Sequence, residues 1–144
     1  MLPTSRNTTA HASTLTAAAT DADLASIKQV ALDYIEGYYE GNAERMERAL
    51  HPDLAKRVVR LDQSANCMRL AHMGALGLIQ ATRARASNPA PKDAQQRDVT
   101  ILDMLGNAAS VKVVATDWID YLHVAKCDGR WVIVNVLWEM KPGR

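Results

Sequence analysis

The hydrophobic positions of this chain change period once, near residue 97, and the change separates a helical half from a strand half. In "DLASIKQVALDYIEGYYEGN" (23–42), Leu24, Ile27, Val30, Ala31, Tyr34, Ile35 and Tyr38 recur at the spacing of one helix face. Thr20, or one of Asp21 to Asp23, can cap the start, and Gly41 follows the last turn. Asn42 reads as a second N-cap, with Glu44 in the first turn and Met46, Ala49 and Leu50 on the apolar side. Pro52 disfavours the α conformation at His51, which predicts the end of that short helix. "LAKRVVRL" (54–61) reads as a short strand and 62–67 as a loop. The pattern then predicts a third helix over about 69–86, with Leu70, Met73, Leu76 and Ile79 inward. Gly74 and Gly77 weaken that helix by ~1 kcal/mol each relative to Ala. Pro89 and Pro91 break the chain after it.

From Arg97 onward, "RDVTILDML", "ASVKVVATDWIDYLHVAK" and "RWVIVNVLWEMK" are rich in β-branched and aromatic residues. Gly106-Asn107 and Asp128-Gly129 stand where two-residue hairpin turns join them. Helices followed by an antiparallel meander predict an α+β domain with the helices on one face of the sheet. In the last strand, alternation puts Trp131, Ile133, Asn135 and Leu137 on one face, and Val132, Val134, Val136 and Trp138 on the other. Both faces are apolar, whereas a solvated face alternates with charge. The outer face is therefore expected to meet another surface, with a homodimer partner as its cover.

Length and composition narrow the functional classes. The 144 residues suit one compact domain, with residues 21–144 as the folded unit and 1–20, rich in Thr, Ala and Ser, as a disordered tail. A formal charge of +1 argues against a nucleic-acid partner. The chain has no apolar run of the ~20 residues a spanning helix needs, so no membrane partner is expected. Cys67 and Cys127 have no paired spacing; two free thiols fit a reducing, cytoplasmic setting. His51, His72 and His123 lack ligand spacing, so no metal is predicted. The sequence has no nucleophile elbow, dinucleotide fingerprint or P-loop, so no cofactor is predicted either.

Two blocks, "DYIEGYYEGNAERMERALHPD" (33–53) and "DYLHVAKCDGRWVIVN" (120–135), resemble the nuclear transport factor 2-like superfamily. Within it they resemble the "putative lumazine-binding" branch, which shares ground with the SnoaL-like and ketosteroid-isomerase-like groups. With the spacing between them the resemblance covers about residues 24–140. It implies a cone-shaped α+β fold, with three N-terminal helices packed on a strongly bent antiparallel sheet. It also implies a pocket between helix and sheet, and dimers formed through the outer sheet face. The superfamily holds enzymes and non-enzymatic binding domains, so the site must decide function.

The site residue that stands out is Asp120, a carboxyl in the middle of an apolar strand. An ionised carboxylate is costly to bury alone. Asp120 either faces a pocket or is a structural group tied off by Tyr34, His123 or Asn135. Ketosteroid isomerase keeps an aspartic acid protonated beside a tyrosine to form an oxyanion hole. By resemblance, Tyr34 matches that tyrosine and Asp120 that acid, while the general-base position falls at Val59, which cannot take a proton. Asp53, Asp62 and Asp103 are possible substitutes; Asp103 is the best placed, because it alternates with Ile101 and Leu105 on its strand. Trp118, Trp131 and Trp138 are candidates to stack on a flat ring, Tyr38 shares a helix face with Tyr34, and Asn135 offers an amide. The leading expectation is a domain that binds a flat or cyclic organic compound, pterin-like, polyketide-like or steroid-like, through Tyr34, Tyr38, Trp118, Asp120, Trp131 and Asn135. The alternatives are an isomerase, dehydratase or cyclase using Tyr34 and Asp120 as donors and Asp103 as base, and a non-catalytic dimeric interaction module.

Overall fold

The computed structural model describes residues 20–144; the tail expected over 1–20 lies, but for Thr20, outside them. Helix α1 (Asp21–Glu40) starts where Thr20 accepts from the Asp23 backbone N–H. It ends at Gly41, whose φ of 69° lets its N–H and that of Asn42 close on the last carbonyls. A Cβ at position 41 would come within 2.3 Å of the Ala86 backbone, so the turn needs glycine for space as well as for conformation. Asn42 caps α2 (Ala43–Ala49), and the chain passes directly into β1 (Leu50–Asp62), with Pro52 inside the strand.

With β2 (Cys67–Gly74), β3 (Arg97–Leu105), β4 (Ala108–Ala115), β5 (Trp118–Cys127) and β6 (Arg130–Met140), β1 forms one curled, open sheet in the order β2-β1-β6-β5-β4-β3, with α1, α2 and α3 (Ala75–Ala84) packed against it. The fold class is α+β, as expected. One junction departs from the antiparallel expectation: β1 runs parallel to β6 (Arg130–Met140), which makes the sheet mixed. The segment read as the first part of a helix is strand β2 (Cys67–Gly74), and α3 is confined to the ten residues after it. Antiparallel pairing with β1 from Ala55↔Gly74 to Asp62↔Cys67 outweighs the helix preference of Met68, Leu70 and Ala71. As a consequence Leu70 and Leu76, expected inward, are exposed; only Leu78 of α3 is a fully buried large apolar residue. The run 109–126 is also two strands, β4 (Ala108–Ala115) and β5 (Trp118–Cys127), with a turn at Thr116-Asp117. The turns at Gly106-Asn107 and Asp128-Gly129 fall where the sequence put them, with positive φ at Gly106, Asp128 and Gly129.

Two β-bulges decide which side chains face the core. In β6 the register jumps from Ile133↔Val124 to Asn135↔His123, leaving Val134 unpaired. A bulge inserts one residue and so reverses the alternation beyond it. Trp131 and Ile133 point inward before it; Val136, Trp138 and Met140 point inward after it. Asn135 and Leu137 are therefore on the outer face, and the simple alternation expected for this strand holds only up to Ile133. In β3 (Arg97–Leu105) the register jumps between Ile101 and Asp103, leaving Leu102 unpaired. Ile101 and Met104 pack on the core, and Asp103 is exposed on the outer side, opposite Ser110.

The core lies between α1 and the concave face. Ile27, Ala31, Tyr34 and Ile35 of α1 pack on Val111, Val113, Leu122, Val124, Ile133 and Val136. Asp23 anchors the start of α1 to the sheet: its Oδ1 accepts from Lys126 Nζ at 3.1 Å and from Trp131 Nε1 at 3.0 Å. Those donors hold the Asp23 carboxyl down at about 2.

Candidate functional site

Asp120 sits on the inward face of β5 with Leu122 and Val124, and none of it is exposed to solvent. Two hydrogen-bond donors and one cation converge on it. Trp118, two residues earlier and therefore on the same face, donates Nε1–H to Oδ2 at 2.7 Å. Tyr34, on the buried face of α1, donates its hydroxyl to Oδ1 at 3.1 Å. Lys56, from β1, places Nζ 3.7 Å from Oδ1 and donates to the Tyr34 hydroxyl oxygen in a short hydrogen bond. Both oxygens of Asp120 are thus occupied as acceptors, which is the arrangement of a carboxylate rather than of a free acid aimed into a void.

Electrostatics tighten this cluster. Burial pushes the Asp120 carboxyl up, against the pull of Lys56 and of the Trp118 and Tyr34 hydrogen bonds. Burial pushes the Lys56 ammonium down, opposed by Asp120. The Tyr34 phenol is raised well above its usual range by burial, and further by the Asp120 charge, so it stays a donor at any physiological pH. Each member of the buried pair makes the charged form of the other tenable.

Beside the cluster a cleft of about 360 Å³ opens between α1, α3 and the sheet. Tyr38, Lys56, Arg60, Met73, Leu78, Trp118, Trp138 and Met140 are among its lining, with Asp117 at the same opening. The Tyr38 and Trp118 rings meet edge to face, 5.7 Å between centroids. Lys56 Nζ lies 5.0 Å from the Tyr34 ring centre and 5.4 Å from that of Trp138, and the Arg60 guanidinium lies 5.4 Å from the same Trp138 ring.

Of the residues singled out from sequence, Tyr34, Asp120, Trp118 and Tyr38 come together here. Trp131 does not: it is at the far end of α1, bonded to Asp23. Asn135 does not either. On the outer face its Oδ1 accepts from Arg57 at 3.1 Å, and its Nδ2 is 3.4 Å from His123 Nδ1. Asp103 and Val59 also face outward, so neither position brings a base to Tyr34 and Asp120. Sequence reasoning missed Lys56 and Arg60. The available signal was parity: within "LAKRVVRL" they alternate with Leu54 and Val58, the buried positions of the strand. Among the described residues no group of three or more His, Cys, Asp or Glu is placed to hold a metal ion, and no helix is long and apolar enough to cross a membrane.

Comparison with known proteins agrees with this architecture. Among solved structures, an NTF2-like protein of unknown function from Shewanella baltica OS155 superposes with a TM-score of 0.68 at 21% identity, over 88% of this chain and 100% of that one. An NTF2-like protein of unknown function from Methylobacillus flagellatus KT gives 0.67 at 24% identity, over 88% and 98%. A ketosteroid isomerase-like protein from Erwinia carotovora atroseptica SCRI1043 gives 0.59 at 10% identity, over 84% and 98%. At these identities the likeness is one of fold. No curated protein matches the chain. Residues 22–139 match the family model described as "Putative lumazine-binding", and with most of its length inside that match the chain belongs to this family.

Proposed function

We propose that this protein binds a flat or cyclic organic compound in the cleft between its helices and the concave sheet face. One observation carries the reading: an open cavity of about 360 Å³ has aromatic walls, Tyr38, Trp118 and Trp138, and a polar floor fixed by the Lys56–Tyr34–Asp120 cluster. Pockets of this size with apolar walls and few convergent polar groups are the usual form of small-molecule sites. The family description, naming a lumazine, points the same way. Tyr38, Trp118 and Trp138 stack on or edge the ring, while Tyr34 and Asp120 act behind Lys56 by holding it in place.

Binding without turnover fits the residues better than isomerase chemistry. Proton abstraction from carbon needs a base within reach of the substrate. Asp103 is on the opposite face, and Asp120 has both oxygens engaged. The interaction-module alternative has less support, since the space beside the cluster is open rather than filled.

Thermal-shift and tryptophan-fluorescence titrations with lumazine and with larger fused-ring compounds test the reading. A ligand that quenches Trp118 and Trp138, raises the melting temperature and is recovered unchanged supports it. A set of such compounds without effect, together with a crystal structure in which the cleft is filled by side chains, overturns it.

The outer sheet face supports a homodimer as the working unit. Val59, Leu70, Tyr121 and Leu137 stand exposed there; Val59 pairs with Leu70 and Tyr121 with Leu137 across their strands. An apolar patch of this kind on a sheet face is the usual ground of a two-fold interface.

A further inference from the structure

We infer that the cleft selects an acidic ligand, a planar ring bearing a carboxylate or enolate oxygen, and that Lys56 and Arg60 are the residues that read its charge. The inference rests on the proposed binding reading and specifies its chemistry.

The first ground is unfilled donor capacity. An ammonium has three N–H donors. That of Lys56 gives one to Tyr34, and its contact with Asp120, at 3.7 Å, is a charge contact beyond hydrogen-bond length. The Lys56 side chain is 14% exposed, and it lines both the cleft and a smaller pocket of about 140 Å³ that shares Arg60, Met73 and Trp138 with it. A largely buried ammonium with N–H donors left over beside a cavity calls for an acceptor there.

The second ground is the balance of charge around the opening. Asp120 balances Lys56. Asp117, at the same opening, is 3.7 Å from the Arg144 guanidinium. Arg60 has no ion-pair partner among the described residues and lies on the Trp138 ring instead. The cleft thus carries one cation in excess, next to an open donor and beside an aromatic wall. A planar acid satisfies all three: its ring lies along Trp138 and Trp118, and its oxygen accepts from Lys56 and faces Arg60. A neutral ring of the same shape satisfies only the wall.

The test uses the full chain and two probes of matched shape, 2-naphthoate and 2-naphthamide, titrated by calorimetry at pH 7 in low and high salt. The expected result is a naphthoate affinity at least tenfold above that of the amide, an advantage that shrinks with salt and is largely lost in Lys56→Met and in Arg60→Gln. Because Lys56 is buried and its loss also strands Asp120, Arg60→Gln, at an exposed position, keeps the test valid if Lys56→Met fails to fold. Equal affinities for acid and amide overturn the charge selection and leave cleft binding standing. An advantage for the acid that survives in Arg60→Gln, or in a folded Lys56→Met, also overturns it. Failure of both probes to bind overturns the inference, and the binding reading with it if fused-ring compounds at large fail too.

Discussion

The Tyr34 hydroxyl on α1 and the Asp120 carboxylate on β5 meet at 3.1 Å across 86 residues of chain, with Lys56 closing the group from a third element. This contact answers why an acid sits within an apolar strand. Asp120 is a buried counter-charge, with every oxygen used and a lysine held at the edge of a cleft in return.

Replacing Asp120 by Asn keeps the shape and removes the charge that offsets Lys56. Leaving a buried ion without its partner costs about 3–5 kcal/mol. Urea unfolding of Asp120→Asn should show a loss of that order. A loss below about 1 kcal/mol would mean that Lys56 and Asp120 are not coupled in the folded protein.

Tyr34→Phe removes a single oxygen, yet it takes away both a donor to Asp120 and the acceptor of Lys56. The expected destabilisation is about 1–3 kcal/mol. In a double-mutant cycle with Asp120→Asn the two effects should fall well short of additive, because they act on one network.

Asp23 makes the acid limb of stability steeper. Its carboxyl is held at about 2 in the folded chain, against an ordinary value of 3.8. A depressed folded value gives a stabilisation that is complete above the unfolded pKa and is lost as pH falls through the folded one. Thermal unfolding followed from pH 5 to pH 2 should therefore fall less steeply in Asp23→Asn than in the parent, with the difference confined to about pH 4 and below.

Gly41→Ala should be among the most damaging single-methyl additions to this chain. It combines a left-handed backbone, at φ 69°, with a Cβ 2.3 Å from the Ala86 backbone nitrogen. The left-handed conformation alone costs about 1–2 kcal/mol, and the displaced 85–86 segment adds to it. Equilibrium unfolding showing less than that amount would indicate a different junction between α1 and α2.

Leu137→Glu places a charge in the middle of the exposed outer face without touching the cleft. If that face joins two copies, sedimentation should show the parent as a dimer and this variant as a monomer of unchanged fold. A parent that sediments as a monomer at all concentrations removes the dimer proposal.

What the chain determined by itself was local. The period-3.6 stripe, the Thr20 cap and the Gly41 stop delimit α1, because helix starts and stops depend on residues within one or two turns. Gly106 and Asp128-Gly129 placed two hairpin turns by their tolerance of positive φ. The two sequence blocks sufficed for the family, and Tyr34 with Asp120 could be paired by resemblance. Tertiary structure decided what depends on neighbours distant in sequence. Residues 67–74 are a strand because β1 supplies hydrogen bonds that no helix preference offsets. The bulges at Leu102 and Val134 turn Asp103 and Asn135 away from the cleft, and a strand's alternation carries no mark of where its partner skips a residue. Lys56 reached the site for a similar reason: its worth lies in the tyrosine and the aspartate that the fold brings to it, not in the residues beside it.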